Sequence, residues 1–98
     1  MSKPVSFKNH DRFIELGLVI AALRKLRGLS QEELAARANI SRSLVSIIEA
    51  PNIAHCFSLE VFFDIADALN VDPAALINAS VFSDGLLKFP NEKSSLSK

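Results

Sequence analysis

The side chains best able to do chemistry are few and widely separated. Cys56 is the only thiol, and His10 and His55 are the only imidazoles. Three such residues fall short of a four-ligand zinc set, and one cysteine cannot close an internal disulfide, so Cys56 is read as a buried or loop thiol. Asp64 and Asp67 share one face of a helical stretch, but acids three residues apart on a helix are read here as a solvated surface. No glycine-rich phosphate loop and no nucleophile–base pattern occurs, so the reading assigns no catalytic residue, no metal site, no cofactor and no enzymatic activity. What remains is a set of polar and charged residues between positions 24 and 49, whose chemistry is hydrogen bonding and ion pairing.

Charge says which partners such residues could meet. The formal net charge is zero, which alone argues against strong binding to polyphosphate, because phosphate neutralisation needs a surplus of Lys and Arg. The distribution is uneven, however: residues 1–44 hold eight Lys or Arg against four Asp or Glu, whereas residues 45–87 hold six acids and no Lys or Arg. One surface can therefore approach a polyanion while another is repelled from it and faces solvent or a protein partner. At 98 residues and 49% hydrophobic composition the chain has material for one compact core. No apolar run reaches the roughly 18 residues of a membrane span, and the N-terminus lacks the apolar segment of a secretory signal. A cytoplasmic location and no membrane contact are expected.

The elements that must position the polar set follow from periodicity and caps. Residues 1–8 read as a flexible arm, residues 9–80 as the folded domain, and residues 81–98 as a C-terminal extension whose last residues are expected to be disordered. Phe13, Leu16, Ile20 and Leu23 recur at helical spacing, with Asn9 as a candidate cap and Gly28 at the close, which predicts a first helix over about residues 10–27. Ile14, Leu18, Val19, Ala21 and Ala22 make its other faces apolar too, so that it is either sandwiched or meets another chain. Ser30-Gln31-Glu32-Glu33 has the spacing of a capping box and opens a second helix, with Leu34, Ala35 and Ala38 inside and Asn39 as a left-handed exit. Ser41 starts a third helix running to about Glu49, with Val45 and Ile48 inside and Pro51 as its stop. After a loop from Ala50 to Phe57, Ser58 opens a fourth helix on Leu59, Phe62, Ala66 and Leu69. Asn70 closes it, and Asp72-Pro73 opens a short fifth through Leu76 and Ile77. The fold class is all-α, with five helices.

Two short helices joined by a tight turn form a unit whose second helix fits the major groove of duplex DNA and touches base edges with its N-terminal residues. The stretch LRKLRGLSQEELAARANISRSLVSIIE, with the later LEVFFDIADALNVDPAAL, resembles the Cro and phage-repressor type (XRE-like) helix-turn-helix family over about residues 16–77. The resemblance implies a five-helix lambda-repressor-like domain, its helix-turn-helix at helices 2 and 3, and a symmetric dimer regulating transcription from a near-palindromic operator. It places Gln31 at a phosphate contact, Ser41, Arg42, Ser43, Leu44, Ser46 and Ile47 on the DNA-binding helix, and Arg24 with Glu49 in a structural salt bridge. Arg42 is suited either to a guanine edge or to a phosphate.

This chain departs from the pattern where it carries Leu44 and Ile47 in place of polar groups and Ala50 at a frequent phosphate contact, before a long loop without Lys or Arg. Apolar groups pack on thymine methyls but supply no hydrogen-bond code. The alternative reading is accordingly a helix-turn-helix scaffold that acts through protein contact, as an antitoxin-like or anti-regulator module, with weak or lost DNA binding. For the homodimer, the candidate contacts are Ile14, Leu18 and Val19 on helix 1, and Ile77, Val81, Phe82 and Leu86 toward the C-terminus.

Overall fold

The computed structural model describes residues 5–82. Among them are a 3-10 turn, Phe7–Asn9, and five α-helices: α1 His10–Leu26, α2 Gln31–Ala38, α3 Arg42–Glu49, α4 Leu59–Ala68 and α5 Pro73–Phe82, with no strand. The arm expected over residues 1–8 thus ends in an ordered turn at Phe7 and Lys8. Asn9 is not a side-chain cap: its own backbone is already helical, and its Oδ1 accepts from Arg12 Nη1 at 2.9 Å instead. Helix α5 runs two residues past the domain limit drawn at residue 80.

Three of the connections share one grammar: a residue in the left-handed region, an apolar residue, then a capping residue. Gly28 (φ 73°), Asn39 (φ 58°) and Asn70 (φ 57°) take the first position, where glycine has no Cβ to clash and asparagine is tolerated. The apolar residue that follows sends its N–H back to a carbonyl five residues earlier: Leu29 to Arg24 at 3.1 Å, Ile40 to Ala35 at 3.0 Å and Val71 to Ala66 at 3.0 Å. Its side chain packs on the core, buried for Leu29 and half-buried for Ile40 and Val71. The third residue starts the next helix. Ser30 Oγ accepts from Glu33 N (3.0 Å) while Glu33 Oε1 accepts from Ser30 N (2.8 Å), Ser41 Oγ accepts from Leu44 N (3.0 Å), and Asp72 Oδ1 accepts from Ala74 N (2.9 Å). Each such cap stabilises its helix by about 1 kcal/mol. Ala50, extended as the residue before a proline must be, ends α3 differently and leads into the 50–57 loop. Ser58 then caps α4 through Val61 N.

The core joins Ile20 of α1, Leu29 of the α1–α2 turn, Leu34, Ala35 and Ala38 of α2, Val45 and Ile48 of α3, Phe62, Ile65, Ala66 and Leu69 around α4, and Leu76 of α5. Helix α1 lies between α3 and α5, while α2 packs on α3 and α4. This sandwich accounts for the apolar faces of α1: Leu16, Val19 and Leu23 pack on the core. Of the dimer candidates on α1, Val19 and Ile14 are half-buried, whereas Leu18 stays 45% exposed. In α4 the buried stripe includes Ile65, and Leu59, expected inside, stands at the first residue of the helix and is 69% exposed.

The crossing of α1 with α3 depends on Gly17. A Cβ built there would overlap the carbonyl oxygen of Ile48 and lie 3.1 Å from its carbonyl carbon, so α1 touches the backbone of α3 directly. No side chain at position 17 other than hydrogen allows this approach.

Candidate nucleic-acid interface

Helix α3 is only eight residues long, too short to be stable alone. It is fixed at its N-terminus by Ser41, along its inner face by Val45 and Ile48, and at its C-terminus by a buried polar knot. Glu49 and Arg24 are both nearly buried, at 7% and 9% exposure. Arg24 Nε donates to Glu49 Oε2 at 2.8 Å and Nη2 donates to Oε1 at 2.9 Å. A third guanidinium nitrogen, Nη1, donates to the Leu29 carbonyl at 2.7 Å, tying in the α1–α2 turn. The hydrogen bonds to Glu49 outweigh desolvation and push the Arg24 pKa above its ordinary value, so the guanidinium stays charged. The salt bridge implied by the family pattern is thus present as a two-pronged contact.

Gln31 joins the same knot, since its Nε2 donates to Glu49 Oε1 at 3.1 Å. Its amide is therefore oriented before any ligand arrives. Because the capping box occupies Ser30 N and Glu33 N, the open donors of the first turn of α2 are the N–H groups of Gln31 and Glu32. These sit at the positive end of the helix dipole, beside a shallow pocket of about 380 Å³ lined by Arg24, Ser30, Gln31, Glu32 and Arg42. Two arginines face two acids here, Glu32 at the rim and Glu49 in the knot. A phosphate in this pocket would be held mainly by oriented N–H groups and Arg42.

The outer face of α3 carries the remaining candidates. Ser41, Arg42, Ser43, Ser46 and Ile47 are exposed, and successive members of Arg42, Ser43, Ser46 and Ile47 fall at helical spacing on one side. The structure separates the two apolar departures from each other. Leu44 is half-buried and packs on the core, while Ile47 is 37% exposed beside Ser43 and Ser46. On the flank, a second groove of about 430 Å³ runs between α1 and the end of α3, where Leu18, Lys25, Ser46, Ala50 and Pro51 meet. Lys25 supplies there the cation that the 50–57 loop lacks.

Away from this face, Phe13, Leu16, Phe57, Leu59, Phe62 and Ile77 line an apolar groove of about 200 Å³ between α1, α4 and α5. Phe13 and Phe57 meet edge to face at 5.6 Å. Leu59, Phe63 and Ile77 stay 69%, 47% and 44% exposed around it. The side chains of Val81, Phe82 and Leu86, the other dimer candidates, lie outside the described residues. Among the described residues no cluster of three His, Cys, Asp or Glu could hold a metal ion, and no helix is long and apolar enough to cross a membrane. Sequence reasoning missed Gly17, whose signal was a glycine inside an otherwise apolar helix. It also missed Arg27, whose Nε donates to the Leu69 carbonyl at 2.8 Å and fastens the end of α1 to the end of α4.

Comparison with known proteins places these features in a family. Residues 20–76 match the family described as helix-turn-helix. Among solved structures, the chain is similar to the restriction-modification controller protein C.AhdI from Aeromonas hydrophila, at 33% identity over 65% of this chain and 94% of that one, with a TM-score of 0.61. It has the fold of the wild-type restriction-modification controller protein C.Esp1396I, at 22% identity over 82% of this chain and 96% of that one (TM-score 0.68). The same holds for the clp gene regulator ClgR from C. glutamicum, at 23% identity over 86% and 99% (TM-score 0.66). No curated protein matches by sequence.

Proposed function

The chain belongs to the helix-turn-helix family, and from that premise we propose that it is a transcriptional regulator that binds duplex DNA sequence-specifically as a homodimer. Helix α3 enters the major groove and the N-terminus of α2 rests on the phosphate backbone. The observation that carries this reading is the outer side of α3. Arg42, Ser43 and Ser46 stand exposed on it beside the open amides of α2, on a helix whose other contacts are all internal. The names of the similar structures, two controller proteins and a gene regulator, support the same class. A net charge of zero leaves few phosphate contacts per subunit, so two subunits on a near-palindromic site of two half-sites, roughly 34 Å apart, supply what one cannot. The apolar surface around Ile77, Leu59 and Phe63 is the face we assign to the dimer.

The test is selection of bound duplexes from a random library at low and moderate salt, with the mass of the complex measured. A near-palindrome bound by two copies is expected, with log affinity falling against log salt by about 0.9 per phosphate contacted. Arg42→Ala should reduce that slope by about one contact, or abolish preference at one guanine if it reads a base. Ile77→Asp should give monomers and weaken binding to the full site. A folded dimer that enriches no duplex at either salt would overturn the proposal in favour of a scaffold acting through protein contact.

A further inference from the structure

Building on the DNA-binding reading above, we infer that Ile47 makes this protein a reader of the C5-methyl group of a pyrimidine in each half-site. On the outer side of α3 the exposed side chains are one cation, two small hydroxyls and one branched apolar group. Arg42, Ser43 and Ser46 suit phosphates or many base edges alike. Ile47 has no hydrogen-bonding atom, so in the major groove the partner it can recognise is apolar, and the apolar feature of that groove is the C5-methyl of thymine, which 5-methylcytosine also carries.

Its neighbours support the assignment. Val45, Ile48 and partly buried Leu44 hold the inner side of the helix. Ile47 stands outside the core cluster, remains 37% exposed, and is flanked by Ser43 and Ser46, whose hydroxyls are short enough to let it approach the bases. It lies five residues beyond Arg42, about 7.5 Å along the helix axis.

Covering one methyl group is worth about a fourfold change in affinity per half-site, and about fifteenfold across two symmetric half-sites. The experiment takes the selected operator and replaces each thymine in turn by uracil, which removes only the methyl. At the position so found, cytosine and 5-methylcytosine are then compared. Wild-type protein should lose about fourfold on removal of the methyl at one position per half-site, and Ile47→Ala, compared at a temperature where its thermal transition shows it folded, should not discriminate. A difference within both base pairs means that the methyl alone is read, whichever base carries it; a difference only between thymine and uracil ties the contact to thymine. If uracil equals thymine at every position, or if Ile47→Ala still discriminates, the inference is overturned while DNA binding stands. Failure to bind any duplex would overturn both.

Discussion

Replacing Gly17 by alanine sets two effects of opposite sign against each other. Position 17 lies inside α1, where alanine favours the helix over glycine by about 1 kcal/mol. Against that, the new Cβ would sit within the van der Waals radius of the Ile48 carbonyl oxygen, 3.1 Å from the carbonyl carbon and 3.7 Å from the Glu49 Cα. These are backbone atoms and cannot rotate away, so α1 and α3 must move apart, and every contact between them loosens. Forcing a group into such a packed crossing costs about 1–3 kcal/mol, and an unyielding backbone neighbour puts this case at the upper end. The net is a loss of about 1–2 kcal/mol, or roughly 5–15 °C in melting temperature for a domain of this size. Thermal and urea unfolding of the Gly17→Ala protein measure it, with an unchanged urea slope as the sign that the unfolded state is the same. Gly28→Ala is the companion: its φ is 73° and nothing lies within 4 Å of the added carbon, so it reports backbone strain without a clash. A Gly17→Ala protein as stable as wild type, or more so, would refute the direct approach of α1 to the α3 backbone.

Breaking the buried ion pair from one side, by Glu49→Leu or Arg24→Met, leaves an unpaired charge and should cost about 3 kcal/mol in urea unfolding, whereas the double variant should recover much of it. Equal losses in all three proteins would show that the pair is not what holds the end of α3. The capping box makes α2 sensitive to acid. Glu33 has its pKa lowered by its hydrogen bonds with Ser30, the backbone N–H first. A depressed carboxylate pKa contributes stability that is complete above the unfolded value and lost as pH falls through the folded one. The stability of wild type relative to Glu33→Gln should therefore be constant near neutrality and decline once pH drops below the ordinary glutamate range. A constant difference between about pH 6 and pH 3 would show that the carboxylate is not engaged.

The parts of the fold legible in the sequence are those set by local chemistry. Ser30, Ser41, Ser58 and Asp72 announce helix starts because their short oxygens satisfy first-turn amides, and Gly28, Asn39 and Asn70 announce exits because few other residues tolerate positive φ. What could not be read locally was which of several apolar faces meets what. Periodicity cannot distinguish Val19, packed on the core, from Leu18, exposed one residue away, because α1 is clasped from two sides. For the same reason Leu44 and Ile47 look alike in sequence: both are apolar and three apart. Their difference depends on how α3 is rotated, and that rotation is fixed at a distance by Gly17 and Arg24.

That rotation separates two tasks within eight residues. The inner side and C-terminal end of α3 are tied to α1 and α2 through the Gly17 crossing and the Glu49 knot, and its N-terminal end is closed by its own Ser41 cap. Its outer side bears no internal contact of Ser43 or Ser46, and Ile47 is only partly covered. Substitutions at 43 and 46 should thus change folding stability by no more than about 0.5 kcal/mol, the range of surface positions, and truncation at the partly covered 47 by about 1 kcal/mol, while all three change which duplexes are selected. Substitutions at 17, 24 and 49 should do the opposite, lowering stability and weakening binding to all duplexes alike without altering the order of preference. Measuring stability and duplex preference for the same six single variants decides it. If Gly17→Ala or Glu49→Leu, still folded at low temperature, selected a different sequence rather than the same one more weakly, the two tasks would be coupled, and α3 would be a helix whose aim its supports can change.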